Sequence, residues 1–409
     1  MAAIDSYAAG EGRLSPLSTP AATRAVLEAH GIGTKYTLGQ NFLVNDDVLR
    51  KIIALAEVGP ADRILEVGPG IGTLTIALLK HAESVVAVER DPDLPAVLAD
   101  TLYPWREKFA LIEKDALDVT RVDIAAATEE LGGGAGCPDR ASSAATGNAQ
   151  WAFPQSEDCS SESGYSVPPS PAGCRAERGL SERLSATRKP DSGEFTSEDC
   201  LSESGYPVSA PPAGPQRHLP NKLVSNLPYA VAATVVLDYF QNFPSLDSAT
   251  VMVQKEVADR MAAQVGTKNY GAYTVKLGLY AEPVGRFAVG PGNFFPPPRV
   301  DSAVIRLNRR VPLMADGAPA SPVLVAAACL MADAAFANRR KTLANSCKTY
   351  FSGRGSVSLP DGCALEGARV AVALPSLFEV ASIDPRRRGE TLSQQEFLAL
   401  GQALVAAGA

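Results

Sequence analysis

One stretch constrains this chain more than any other: Ile64-Leu65-Glu66-Val67-Gly68-Pro69-Gly70-Ile71-Gly72-Thr73-Leu74-Thr75. A short apolar run ends in glycines at alternate positions, and a helical pattern follows from Thr73 to His81. The spacing predicts strand, tight turn and helix. Glycine lets the backbone pass close to a ligand because no Cβ intervenes, and the helix start aims unpaired N–H groups at the same place. Ser84-Val85-Val86-Ala87-Val88-Glu89 reads as the next strand, which puts Glu89 19 residues beyond Gly70. A nucleotide-binding βαβ unit carries its ribose-binding acid at that distance. The motif is E-x-G-x-G-x-G, however, not G-x-G-x-x-G. Glu66, just ahead of the turn, would repel a pyrophosphate but suits a ligand bearing an ammonium and a sulfonium. The residues therefore favour S-adenosylmethionine (SAM) over NAD.

Strands and helices go on alternating around this unit. Upstream, Ala21 to Gly31 reads as a helix, and Asn45 caps another whose apolar positions Val48, Leu49, Ile52, Ile53 and Ala56 keep helical spacing until Gly59-Pro60. Downstream, a helix is predicted from Asp91-Pro92 to about Leu102, then a strand from Phe109 that ends in Asp115. After Lys222-Leu223-Val224-Ser225 come Asn226-Leu227-Pro228-Tyr229, a helix to about Phe240, a strand at Ala249–Gln254 and a helix at Glu256–Val265. Tyr273–Tyr280 and Ser302–Leu307 are expected to close the sheet as an antiparallel hairpin, with Phe294 to Arg299 as a stiff loop between them. The fold class is therefore α/β, a Rossmann-like domain with its site at the carboxyl edge of a mostly parallel sheet. From about Val311 the texture turns helical, which predicts a small C-terminal α-helical domain.

Residues 131–218 break the pattern: 15 Ser, 11 Gly and 10 Pro leave almost no apolar periodicity. Such a segment buries too little surface to offset its ordering entropy, and it is expected to be a disordered insertion. It contains an imperfect duplication, Ser156 to Tyr165 recurring as Ser197 to Tyr206. The expected organisation is a loose leader over 1–20, a SAM-binding α/β domain over 21–310 interrupted by 131–218, and a small helical domain over 311–409. The net charge of −7 argues against a nucleic-acid partner only until its distribution is considered. The insertion holds 7 basic and 11 acidic residues, whereas Arg299–Lys348 holds 8 basic and 3 acidic. No apolar run reaches the length of a membrane span, so a cytoplasmic protein is expected. An odd seven cysteines without a C-x-x-C pair, and only three histidines, predict no metal site.

Asn226-Leu227-Pro228-Tyr229 is the second informative stretch, since it follows a strand and so reaches the same sheet edge as Gly68 and Gly70. The exocyclic amine of adenine is a poor nucleophile, because its lone pair is delocalised into the ring. An Asn oxygen and a neighbouring backbone carbonyl can accept its two hydrogens and favour the pyramidal nitrogen, while a Tyr ring holds the base flat. That is positioning and electrostatic help rather than strong acid–base catalysis.

These motifs, with Leu38-Gly39-Gln40-Asn41-Phe42-Leu43, Asp115-Ala116-Leu117, Gln254 to Arg260, Tyr270-Gly271, Phe294 to Ser302 and Phe336 to Leu343, run in one order along the chain. In that order the chain resembles the small-subunit ribosomal RNA adenine N6,N6-dimethyltransferases; the long insertion is the one large departure. The resemblance implies a class I SAM-dependent methyltransferase domain followed by an RNA-binding domain over 311–409, with SAM held by Asn41, Leu43, Gly68, Gly70, Glu89, Asp115 and Asn226. It implies catalysis at Asn226, Leu227, Pro228 and Tyr229, with Phe294, or its neighbour Phe295, stacking on the target base. Arg339, Arg340 and Lys341 become candidates for RNA phosphates. The implied substrate is two adjacent adenosines in a hairpin loop near the 3′ end of small-subunit rRNA, met free or in an assembling subunit by a monomeric enzyme. A large-subunit rRNA methylase of the antibiotic-resistance type, or a non-catalytic assembly or transcription factor of the same fold, are the alternatives.

Overall fold

The computed structural model describes residues 12–33, 40–132, 218–359 and 364–408. In chain order the first strands are β1 (Phe42–Leu43), β2 (Arg63–Val67), β3 (Ser84–Glu89), β4 (Phe109–Glu113), β5 (Lys222–Asn226) and β6 (Ser248–Gln254); β7 (Ala281–Val289), β8 (Phe294–Phe295) and β9 (Ser302–Arg309) follow. The main sheet runs β4-β3-β2-β5-β6-β9-β7, parallel from β4 to β6, with β9 and β7 antiparallel at one edge. Neighbouring residues of the central strands enter opposite cores. Leu65 and Val86 pack on one face and Ile64 and Val85 on the other, all at most 2% exposed. Covering both faces is what a parallel sheet requires, and it explains why these strands read as continuous apolar runs.

The helices follow the sequence closely at capped ends. Among them are α1 (Pro20–Ala29) and α2 (Asp46–Ala56); Asn45 caps the latter by accepting the Asp47 N–H at 2.9 Å. α3 (Thr73–Leu79) follows the glycine turn and stops two residues earlier than expected. α4 (Leu94–Thr101) starts later than Asp91-Pro92, because Asp91 Oδ1 accepts the Asp93 N–H and holds a turn; Pro95 is the proline of the first helical turn. The loose leader needs correction from residue 12 onward. Leu14 and Ser15 donate their N–H groups to Asp46 Oδ1, at 2.8 and 3.2 Å, and Leu17 is buried. A stretch tied down by side-chain acceptors rather than by an apolar stripe has no period to read. Residues 34–39, and with them Leu38-Gly39, lie outside the described residues, as does nearly all of the expected 131–218 insertion; before it, Arg121–Gly132 forms helix α5.

The expected closing hairpin is half right. Beyond α6 (Ala232–Asn242) and α7 (Lys255–Met261), the run Tyr273–Tyr280 is no strand; Ala272–Gly278 form helix α8, with Thr274 Oγ1 accepting the Gly271 N–H at 3.3 Å. Val275 and Leu279, one helical turn apart, face a separate helical core. β9 pairs instead with β7, an edge strand exposed along most of its length and bulged at Pro283. An edge strand with one solvated side carries no long apolar run, and proline is tolerated there. The helical core is completed by α9 (Pro322–Phe336), α10 (Leu343–Ser352), α11 (Gly367–Val380) and α12 (Gln394–Gly408). No helix of the described residues is long and apolar enough to cross a membrane.

Candidate active site

The site lies where the strand order turns back, between β2 and β5. Their ladder joins Ile64 to Lys222 and Leu65 to Leu223, and further along Ser225 Oγ accepts the Val67 N–H at 2.8 Å. Crevices at such switch points, outside the carboxyl ends of strands, are where open α/β sheets hold ligands. Here the crevice is a cavity of about 510 Å3, walled by Gln40–Leu43, Glu66–Gly70, Glu89, Asp115 and Asn226–Val231. The glycine turn and the Asn226 turn, 158 residues apart between Gly68 and Asn226, thus become opposite lips of one opening.

The turn is shaped by backbone conformations that need glycine. Gly68, Gly70 and Gly72 have φ of 70°, 60° and 89°, in the left-handed region. A Cβ on Gly70 would also lie 3.2 Å from the Phe42 ring, so a larger residue there is both strained and crowded. Glu89 is 9% exposed, and its Oε1 accepts the N–H groups of Arg90 and Asp91, both at 2.9 Å. These bonds fix the carboxylate, while burial pushes its pKa upward. Asp115 accepts the Leu117 N–H on one oxygen and pairs with Arg90 on the other at 2.9 Å. On the opposite lip, Asn226 Nδ2 donates to the Asn41 carbonyl at 3.2 Å, which leaves Oδ1 as an acceptor. Tyr229 is half-buried, and burial raises its phenol pKa, so it stays neutral.

Among known families, the model for ribosomal RNA adenine dimethylase matches residues 33–133 and 180–359. The chain belongs to that family. The enzyme named ribosomal RNA small subunit methyltransferase A from Streptomyces griseus is 32% identical over 387 residues, 94% of each chain. The enzyme of the same name from Thermobifida fusca is 30% identical over 94% of this chain and 96% of its own. The crystal structure of a dimethyladenosine transferase from Plasmodium falciparum shares the fold with a TM-score of 0.53; it is 18% identical and covers 90% of this chain and 98% of that one.

Dimethylases of this family take their methyl group from SAM, and the residues present fit that cofactor. Glu66 is 1% exposed on the cavity wall, and its Oε2 has no hydrogen-bond partner. Burial, with the Glu89 charge adding to it, pushes its pKa up to about 8. A buried carboxyl on a cavity wall that keeps one oxygen without a hydrogen bond is completed by a cation. The glycine turn beside it leaves room that a Cβ would fill.

Of the residues expected at the site, Asn41, Leu43, Gly68, Gly70, Glu89, Asp115 and Asn226–Tyr229 line this one cavity. Phe294 does not. It pairs with Leu43 in the short β1–β8 ladder and is 3% exposed in the core behind the wall, so its ring offers no open face. Phe295 is also absent from the lining; the Arg24 guanidinium lies 5.2 Å from its ring centre. The basic run is divided as well. Arg339 Nη2 donates to the carbonyls of Lys268 and Tyr270 and pairs with Glu390, so it fastens the turn after α9. Arg340 and Lys341 are exposed and make no ion pair among the described residues. Sequence reasoning saw the Glu66 charge without placing it among the cofactor contacts, and it missed Arg90, Lys114 and Gln254 on the cavity wall. Gln254 had a signal: like Asn226, it ends a parallel strand.

Proposed function

We propose that this cavity holds SAM between the glycine turn, Glu89 and Asp115, and presents to it the N6 amine of adenosine in small-subunit rRNA. The product is N6,N6-dimethyladenosine at two adjacent positions in a hairpin loop near the 3′ end, made on the assembling subunit in the cytoplasm. When bound, the cofactor supplies an electrophilic methyl group. Asn226 Oδ1 and the Leu227 carbonyl accept the amine hydrogens and favour the pyramidal nitrogen, whose lone pair is localised rather than conjugated with the ring. Pro228 stiffens the turn that carries them, and Tyr229 lies under the base. Phe294 backs Leu43 in the wall. The helices of 311–409 form the RNA-binding domain, where Arg340 and Lys341 meet phosphates. A loop base is already partly unstacked, so bringing it to the cavity costs little.

The observation that carries this reading is the meeting of the Gly68–Gly70 and Asn226–Tyr229 turns around one cavity. Transfer of labelled methyl from SAM, followed by primer extension on both rRNAs, tests it. Dimethyladenosines in small-subunit rRNA are expected; label confined to large-subunit rRNA, or no transfer, overturns it. The close relatives named for the small subunit favour it over the large-subunit alternative.

Two variants probe the flanks. Glu89→Ala removes an acceptor for the ribose hydroxyls and is expected to weaken SAM binding by roughly 1–3 kcal/mol with the fold intact. Calorimetry giving unchanged affinity would remove Glu89 from the site. Arg340→Ala with Lys341→Ala is expected to lower the slope of log affinity for RNA against log salt by about 1–2, since fewer counterions are released. SAM affinity stays constant. Superimposable salt titrations of wild type and variant would leave the pair as a solvated turn.

A further inference from the structure

Tyr229 is fastened at its far end. Its hydroxyl lies 2.5 Å from Ser302 Oγ, a short O–H···O bond in which either oxygen can donate. Ser302 is fully buried at the start of β9 and is held in two ladders at once, opposite Gln254 of β6 and Val289 of β7. Tyr229 itself sits in a turn closed by the Val231 N–H on the Pro228 carbonyl at 3.2 Å, beyond the end of β5. β6 lies between β5 and β9, so the connection from β5 through the turn and the side chain spans about 10 Å, two strand spacings. It crosses the end of β6, where Gln254 lines the cavity.

From this geometry we propose that Ser302 is a positioning residue: by holding the Tyr229 hydroxyl it sets the place of the ring on which the target adenine is stacked. A tyrosine attached only through its turn has two free side-chain torsions. One hydrogen bond to a rigid strand fixes the first, and because a phenol's hydrogen-bonding directions lie in its ring plane it favours one setting of the second; the ordering cost is met on folding rather than at each base capture. The antiparallel β9 therefore acts on the site without touching it, through one oxygen. The proposal rests on the reading of the cavity as an adenine methyltransferase site. The same ring receives the base again for the second methylation, so loss of the tether acts on both transfers.

The test compares wild type, Ser302→Ala, Tyr229→Phe and the double variant in single-turnover transfer at saturating SAM, with the RNA titrated and both methylated products resolved. Tyr229→Phe keeps the ring and cuts the same bond from its other end. Each single variant is expected to raise the RNA concentration for half-maximal rate about three- to tenfold, the usual range for one lost hydrogen bond. Each is also expected to shift the products toward monomethyladenosine, and the double variant is expected to lose nothing further. SAM affinity by calorimetry and the melting temperature are expected to stay near wild type, which a merely structural role for Ser302 would not allow. Losses that add in the double variant, or a Ser302→Ala enzyme that matches an active wild type, overturn the tether and leave the function standing. A wild type that transfers no methyl overturns both.

Discussion

Asn226→Ala is expected to slow single-turnover methyl transfer by about 10^2- to 10^3-fold at saturating SAM and RNA, the range seen when one preorganised polar partner is removed. The size of the effect follows from what the residue holds. Its amide nitrogen is bound to the Asn41 carbonyl at 3.2 Å, so Oδ1 is aimed before any substrate arrives. Asn226 also ends β5, with its backbone in register opposite Met252 of β6, and the Leu227 N–H donates to the Met252 carbonyl at 3.1 Å. The acceptor pair is thus mounted on the sheet, and it acts most strongly on the amine nitrogen as that nitrogen becomes pyramidal. RNA affinity is expected to change little, because the lost interaction is made chiefly in the transition state. SAM affinity falls moderately, since the Asn41 carbonyl loses the Asn226 amide as a donor. Equal single-turnover rates for wild type and variant would sink the mechanism.

SAM affinity is expected to rise with pH from about 6 to 8, approaching tenfold per unit, through the deprotonation of Glu66. In the free protein this buried carboxyl has its pKa pushed up to about 8 and keeps an unpartnered oxygen on the cavity wall. A bound cation stabilises the carboxylate, so binding releases a proton below pH 8, and calorimetry in buffers of different ionisation enthalpy counts it. The α-amino group of the ligand titrates in the same region, but it cancels in the ratio of wild type to Glu66→Gln. The variant is expected to bind more weakly at pH 8, with the gap narrowing toward pH 6. The stability of the free protein moves the other way. The folded pKa lies above the ordinary carboxylate value of 4.5, so the stability contributed is full below that value and is lost as pH rises through about 8. The loss is on the order of 1 kcal/mol per pH unit, and Glu66→Gln flattens it. A pH-independent ratio of affinities would take Glu66 out of contact with the cofactor.

Much of this molecule was legible in its sequence where local rules act alone. The central strands are buried on both faces and read as apolar runs; Asn45 caps its helix; the glycines at 68, 70 and 72 occupy left-handed backbone that other residues avoid. The motif order carried the family and its cofactor for the same reason, since each motif is a short piece of chain with its own geometry. Other features answer to partners distant in sequence. β7 is an edge strand, solvated on one side, and so lacks the apolar run that was sought in Tyr273–Tyr280. Phe294 and Arg339 carry the side chains of a base platform and a phosphate contact. Packing spends one against Leu43 and the other on the carbonyls of Lys268 and Tyr270. Ser302 looks like any strand serine until β9 is laid beside β6 and its hydroxyl meets Tyr229. The sequence by itself determined which groups are available for the chemistry and the strand–turn–helix units that present them. Only the tertiary structure decided which of them meet and which are consumed in packing, because burial, titration and hydrogen-bond partnership depend on neighbours that chain order does not specify.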